Sequence, residues 1–163
     1  MLTRRANTNR YWMQMSDKLE ELFTLQERLN DFVFAKQDLR DKNGNLLTMA
    51  ALRSQAQKDE PLGPNTEVNQ WLRKYLEALN DESKELGEEL LWKWWSKDKL
   101  DMQNIRIEIV DQLHFWLSLA ITAGMDAEKV FDIYMQKNRV NIERQNSSYS
   151  KDNKNETDNR NIT

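Results

Sequence analysis

The chain has 163 residues and a mass of 19.5 kDa, with 39% hydrophobic residues, 31% charged residues and a formal net charge of −3. This length suits one domain, and 4 glycines with 2 prolines are too few for the frequent turns of small β-barrels and sandwiches. With 0 cysteines and 1 histidine, disulfides, thiolate nucleophiles and zinc sites built on several imidazoles are excluded, so a bound metal would be held by oxygen.

The charge and the apolar pattern also limit the partners. A negative net charge gives no overall field for a polyanion, and the expected folded part carries no strong basic patch. The longest nearly apolar run, residues 115–121, is too short to span a bilayer, and the first residues lack the apolar core of a signal peptide. We therefore expect a soluble cytoplasmic protein that binds neither nucleic acid nor a membrane.

Apolar residues at spacings of three and four predict helices along most of the chain. The first runs from residue 11 to about 37, and a turn-rich region over residues 38–64 follows, in which residues 46–57 predict one short helix. Three further long helices each follow a capping residue: Asn65 or Thr66 begins a helix to about residue 95, Asp101 one to 123, and Asp126 one to about 145. Gly124 is placed to end the helix before it.

Residues 146–163 are almost wholly polar and predict a disordered tail, because they cannot bury enough apolar surface to offset the cost of ordering. The expected architecture is therefore all-α, a single domain over residues 1–145. It consists of four long helices arranged like a four-helix bundle, with self-association possible.

Two pairs of acidic residues repeat one spacing on neighbouring predicted helices. Glu82 and Glu85 stand at i and i+3, and so do Glu108 and Asp111, so each pair projects two carboxylates from one face. Such charges repel one another unless a cation neutralises them, and Mg²⁺ prefers carboxylate oxygens and completes its shell with water and substrate phosphate. The arrangement suggests phosphate-ester or phosphoanhydride chemistry.

A solvated helix face is the ordinary explanation for paired acids, but their neighbours favour a site. The acidic stripe of the second long helix continues into Trp71 and Tyr75, and that of the third into Phe115. The core stripe of the third helix is expected on its opposite side, formed by Ile105, Ile109, Leu113, Trp116 and Ala120. Acids and aromatic residues that share a face are more typical of a functional site than of a solvated surface.

These residues resemble the dimeric all-α dUTPases and the related phage dCTPases of the all-α nucleoside triphosphate pyrophosphatase superfamily. The resemblance covers roughly residues 20–149. Four motifs carry it in order: residues 25–30 (Leu-Gln-x-x-Leu-Asn), residues 81–95 with both acids and Trp-Lys-Trp-Trp, residues 108–115 (Glu-x-x-Asp-x-x-His-Phe), and residues 134–145. The last motif departs from the family pattern after Gln145, and residues 38–65 match nothing in it.

The resemblance implies a Mg²⁺-dependent dUTP pyrophosphatase, acting as a homodimer, that forms dUMP and pyrophosphate. Glu82, Glu85, Glu108 and Asp111 would hold the metal, and Glu82 would also orient or deprotonate the attacking water. A metal lowers the pKa of bound water and neutralises the triphosphate, which fits a site with little histidine.

The resemblance also implies the substrate contacts. Gln26 and Asn30 would pair with the base, Trp71 would stack on it, and His114 would contact base or sugar. Lys137, Asn141 and Arg144, at i, i+4 and i+7, would bind phosphate oxygens, although a basic stripe near a helix C-terminus also compensates the helix dipole.

Two alternatives remain open from the residues. Amide side chains can turn over to donate or to accept, so Gln26 and Asn30 leave dCTP, or dCTP and dUTP together, as substrates beside dUTP. The other alternative is a non-catalytic helical dimerisation protein whose acids are merely exposed.

Overall fold

The computed structural model describes residues 17–58, 60–146, 159, 161 and 162. The described residues form five helices and no strand: α1 (Lys18–Lys36), α2 (Met49–Ala56), α3 (Glu67–Glu89), α4 (Met102–Thr122) and α5 (Ala127–Asn146). An isolated bridge between Arg40 and Leu46 closes the turn after α1. The all-α prediction is confirmed.

Side-chain caps fix where the helices begin, as the sequence predicts. Of the two candidates before α3, Thr66 is the cap, since its hydroxyl accepts from the Asn69 N–H at 3.3 Å. Asp101 accepts from two N–H groups at the start of α4, and Asp126 accepts from the Lys129 N–H at 2.8 Å before α5. These bonds satisfy N–H groups that have no partner inside the helix.

The end of α3 differs from the prediction. The helix ends at Glu89, with Leu90 extended, and not at about residue 95. The side chains of Trp92, Trp94 and Trp95 are 76%, 89% and 61% exposed. Periodicity alone extended the helix too far, because these aromatic residues contact no core that would hold a further turn.

Two smaller differences concern the first half of the chain. Asp17 caps α1, so the helix begins at Lys18, and residues 11–16 of the predicted helix lie outside the described residues. The short helix spans Met49–Ala56, less than the predicted residues 46–57, because the Thr48 side chain caps it by accepting from the Ala51 N–H.

Helix α2 belongs to the core even though its region carries none of the four sequence motifs. Leu47, Met49 and Leu52 are 3%, 0% and 1% exposed. The helix contacts α1, α3 and α4, while α3 and α4 form the most extensive helix pair and α1 packs on α4. The result is four long helices with α2 inserted between three of them.

The structure corrects the prediction of which side of α4 faces the core. Ile105 and Ala120 are buried, but Ile109, Leu113 and Trp116 are 53%, 36% and 40% exposed. Glu108, Asp111 and Phe115, on the other side, are half-buried. Because α3 and α1 both pack on α4, the acidic side lies against the neighbouring helices and part of the apolar stripe faces outward.

Most of the expected disordered tail, residues 147–158, 160 and 163, lies outside the described residues, as do residues 1–16. Among the described helices, none combines the length and the apolar character needed to cross a membrane.

Candidate active site

Three carboxylates from two helices converge beside one cavity. Glu82 of α3 and Glu108 and Asp111 of α4 each offer an oxygen, and these oxygens lie within 4.8 Å of one another. All three residues are half-buried. The predicted meeting of the two acidic pairs is therefore present for three of the four residues.

The fourth acid, Glu85, is exposed and does not belong to that close set. Its charge still acts on the cluster. The pKa of Glu108 is raised, first by partial burial and then by the negative charges of Glu85 and Asp111. The pKa of Glu82 is raised in the same way, first by burial and then by the charges of the three other acids. Glu89, one turn further along α3, also raises the pKa of Glu108.

The donor set fits a hard divalent cation. Ligands about 2.0–2.1 Å from one octahedral Mg²⁺ stand at most about 4.2 Å apart, so oxygens within 4.8 Å of each other reach a common ion by small side-chain rotations. Burial and the charges of the neighbouring carboxylates raise the pKa values of Glu82 and Glu108, and a cation held between these acids would offset the repulsion.

A cavity of about 580 Å³ opens next to the acids. Glu82 and Asp111 line one end of it, and the remaining lining comes from α1, α3 and α4: Gln26, Leu29, Asn30, Val33, Phe34, Trp71, Tyr75, His114 and Phe115. Its size and mixed lining suit a small organic ligand with an anionic group.

Aromatic rings form one wall of this cavity. Trp71 lies between Phe34 and Tyr75, with ring centroids 4.6 Å and 5.5 Å away, and the Lys74 ammonium stands 4.2 Å from the Trp71 ring centre. Burial and the negative charge of Asp31 raise the pKa of Tyr75, so its phenol keeps its proton. The wall offers ring surface on which a flat base can stack.

Two buried amides add polar groups to the lining of the cavity away from the acids. Gln26 and Asn30 are 5% and 7% exposed, and the Gln26 Nε2 donates to Asn30 Oδ1 at 3.0 Å. Both amides also donate to the hydroxyl of Ser118, at 3.1 Å from Gln26 and 2.9 Å from Asn30. Met49 lies beneath them, its sulfur 3.6 Å from Asn30 Nδ2 and 3.6 Å from the Tyr75 hydroxyl.

His114 stands at the rim of the cavity. It is exposed, and its Nδ1 lies 2.6 Å from Gln26 Oε1. The structure thus brings four predicted residues, Gln26, Asn30, Trp71 and His114, together with the three clustered acids in one place.

Ser118 and Met49 are site residues that sequence reasoning missed. A lone serine in a helix and a methionine outside the four motifs carry no pattern of their own. The only available signal was that Ser118 lies one turn after His114 on the same helix.

The three predicted phosphate ligands lie apart from this site. Lys137, Asn141 and Arg144 are on α5 and do not line the cavity. The Lys137 ammonium instead donates to the side chain of Asn159. Their role in phosphate binding stays a prediction.

Comparison with known proteins agrees with the geometry. A family model described as dUTPase matches residues 18–129. The chain is 32% identical to a dCTP pyrophosphatase of Enterobacteria phage LZ5, over 51% of this chain and 63% of the relative, so it spans less than two thirds of that protein. It is 29% identical to a dCTP pyrophosphatase of Enterobacteria phage T4, over 63% of this chain and 75% of the relative. It is also 27% identical to a DNA replication protein of the same phage, over 57% of this chain and 30% of that protein.

No solved structure matches the chain. The region that matches the family model contains the three clustered carboxylates and both buried amides.

Proposed function

Because the chain belongs to the dUTPase family, we propose that it is a nucleoside triphosphate pyrophosphohydrolase acting on a pyrimidine deoxynucleoside triphosphate. Water and substrate would give the nucleoside monophosphate and pyrophosphate. One observation carries this proposal: the clustered carboxylates lie at one end of a cavity whose other walls are aromatic rings and buried amides.

The acidic residues would hold Mg²⁺. Glu82, Glu108 and Asp111 would supply its protein ligands, with Glu85 adding negative charge beside them. When bound, the ion would neutralise the triphosphate and lower the pKa of coordinated water.

Glu82 would orient the attacking water and take its proton. Its place among the clustered acids, at the end of the cavity, puts its carboxylate beside the expected position of that water. The water oxygen would form a bond to phosphorus while the bond to the bridging oxygen of the departing pyrophosphate breaks. The base, held against the Trp71 wall and the amides, would keep the triphosphate aimed at the acids.

Two substrates are supported by different observations. The description of the family model favours dUTP, as the sequence motifs predict. The names of the two phage relatives favour dCTP. Both substrates use the same chemistry and differ only at the base.

We also propose that the protein is a homodimer. Leu22, Leu25 and Leu29 of α1 and Val110 and Leu113 of α4 are 36% to 52% exposed, and with neighbouring residues they line a groove of about 170 Å³. A second copy that covers this face would bury apolar surface that the single chain leaves in water. The cytoplasmic location expected from the sequence stays a prediction.

The test is hydrolysis of each of the canonical deoxynucleoside triphosphates and dUTP by purified protein, with Mg²⁺ or with a chelator. We expect pyrophosphate from dUTP or dCTP only when Mg²⁺ is present. Release of inorganic phosphate instead, or turnover of purine nucleotides alone, would overturn the proposal. Absence of turnover with every nucleotide would favour the non-catalytic alternative.

A further inference from the structure

We propose that Met49 is a positioning residue for nucleotide binding: its thioether sulfur is a shared acceptor that fixes the Asn30 amide and the Tyr75 phenol in the lining of the cavity. This inference rests on the proposed function, since it concerns the binding of the nucleotide base in the same cavity. It makes helix α2, which lies outside the four sequence motifs, a part of the active site.

The Met49 sulfur lies beneath the cavity and contacts two of its polar lining residues. Met49 is 0% exposed, and its sulfur stands 3.6 Å from Asn30 Nδ2 of α1 and 3.6 Å from the Tyr75 hydroxyl of α3. Asn30 and Tyr75 both line the cavity and are each 7% exposed. A thioether sulfur can only accept hydrogen bonds, so both groups must donate to it.

A second contact requires the same direction of the Asn30 amide. The Ser118 hydroxyl donates its one proton to the carbonyl oxygen of His114, one turn earlier, at 2.9 Å. The Ser118 oxygen can then only accept, and the side-chain nitrogens of Gln26 and Asn30 lie 3.1 Å and 2.9 Å from it. The two protons of Asn30 Nδ2 are therefore directed to Ser118 and to Met49.

The position of the sulfur is itself fixed from α1. The Met49 N–H donates to Asp31 Oδ1 at 2.7 Å, so the first residue of α2 is bound to the residue that follows Asn30. A hydrogen bond to a charged carboxylate is stronger than one to a neutral acceptor. Burial and then the charge of Asp31 raise the pKa of Tyr75, so the phenol keeps the proton that it donates to the sulfur. Asp31 therefore holds the acceptor beside its two donors.

Without the sulfur, two buried donors lose their acceptor. A buried donor without a partner is costly, so the Tyr75 hydroxyl and the Asn30 amide would turn or shift toward other acceptors. Both movements would occur in the lining of the cavity. A nucleotide would then have to order these side chains when it binds, and its affinity would fall. The amides lie away from the acids, so metal binding and the chemical step should change little.

The first experiment compares Met49→Leu with Met125→Leu. Leucine has nearly the volume of methionine but no acceptor, and such exchanges are well tolerated in protein cores. Met125 packs against the same core between α4 and α5 and does not line the cavity. The probe is the α,β-imido analogue of dUTP or dCTP, whichever is the better substrate, titrated in the presence of Mg²⁺.

For Met49→Leu we expect the Kd of the analogue and the KM of the substrate to rise about tenfold. The kcat, and the Mg²⁺ concentration for half-maximal turnover at saturating substrate, should change less than about twofold. Met125→Leu should keep the wild-type values. An unchanged Kd in Met49→Leu, an equal rise in both variants or a matching loss of kcat overturns the inference. If the wild type neither binds nor hydrolyses any nucleotide, the proposed function has failed instead.

A double-mutant cycle separates the sulfur contact from general packing. In the Tyr75→Phe background the phenol proton is absent, so Met49→Leu leaves only the Asn30 amide without an acceptor. We expect the effect of Met49→Leu on Kd to fall from about tenfold to about threefold, a coupling that a purely steric role would not give. Equal effects in both backgrounds overturn the inference. If Met49→Leu alone does not fold, the double variant is compared with Tyr75→Phe, and equal Kd values overturn the inference.

Discussion

Among the acidic residues, burial separates the three that cluster from the one that does not. Glu82, Glu108 and Asp111 are half-buried with close oxygens, whereas Glu85 is exposed and acts on them through its charge. Glu108 receives the charge of Glu85, Asp111 and Glu89 together. Because Glu108 belongs to the close set and is not the proposed base, its neutralisation tests the cluster without removing that base.

Replacing Glu108 with Gln should abolish most Mg²⁺-dependent turnover while the fold survives. The amide keeps the size of the side chain but removes one charged oxygen from the ion's donor set. We expect kcat/KM to fall by about 100-fold or more, with an unchanged circular dichroism spectrum. The matched control is Glu88→Gln, an exposed residue of α3 outside the cluster. Equal activity in the two variants would contradict the catalytic role.

The raised pKa values of Glu82 and Glu108 predict a pH dependence of stability in the metal-free protein. Because the folded-state pKa exceeds the ordinary value of 4.5, the folded state holds these protons more tightly than the unfolded state. The stability that proton binding by Glu82 and Glu108 gives to the folded state is complete below pH 4.5. It is lost as the pH rises through their raised folded-state pKa values.

Urea unfolding with a chelator, compared between wild type and Glu108→Gln, measures this loss. The wild type should become less stable relative to the variant as the pH rises from 4.5, and saturating Mg²⁺ should reduce the difference. If the wild type instead becomes more stable relative to the variant over this pH range, the negative charges of the cluster are already compensated.

At the scale of helices, the junction between α4 and α5 depends on the backbone of Gly124. Its φ is +85°, a conformation that side chains disfavour, and an added Cβ would lie 3.2 Å from Gln57 Cγ and 3.3 Å from Ala56 Cβ. The Gly124 carbonyl also accepts from the Gln57 side chain at 2.9 Å. This turn therefore links the end of α4 to the end of α2.

Two glycine substitutions should change stability in opposite directions. Gly124→Ala is expected to cost about 1–3 kcal/mol, because strain and crowding act together. Gly87→Ala, inside α3 with nothing within 4 Å of the added Cβ, should stabilise by about 0.5–1 kcal/mol. Urea midpoints of both variants test this, and destabilisation by both would mean that Gly87 has a packing role.

Helix α2 shows how an element can matter to the site without touching the ligand. Met49 is fully buried and takes hydrogen bonds from Asn30 and Tyr75, and the Met49 N–H donates to Asp31 at 2.7 Å. Arg53 pairs with Glu27 of α1 at 2.6 Å in a partly buried ion pair. These contacts hold α2 against the face of α1 that carries the amides.

At the scale of the whole molecule, the exposed apolar face of α1 and α4 is the main feature that one chain does not explain. Leu25 is 52% exposed and lines the groove between these helices. If a second copy covers this face, a charge there should prevent association without disturbing the core.

Leu25→Glu should convert a dimer into a monomer with unchanged helix content. Burying a carboxylate at an apolar interface without a partner is costly, so association should weaken by several kcal/mol. Sedimentation velocity over a range of concentrations is the measurement. The control is Leu62→Glu, a leucine 42% exposed on the connection between α2 and α3. A wild type that sediments as a monomer at every concentration would contradict the proposed dimer.

The sequence by itself determined the helices, most of their caps and the pairing of the acids. These depend on residues within one or two turns of each other, and the periods of three and four along the chain report them directly. The resemblance to the family, carried by the four motifs, further implied that Gln26, Asn30, Trp71 and His114 contact the substrate, and the structure places them around the cavity that the acids border.

The tertiary structure decided what depends on distant partners. The end of α3, the insertion of α2 and the outward side of α4 follow from which helices pack together, not from local periodicity. The direction of the two amides follows from Ser118, 88 positions from Asn30, and from Met49, 19 positions away. A hydrogen-bond direction is set by the atoms at both ends, and only the folded chain brings those atoms together.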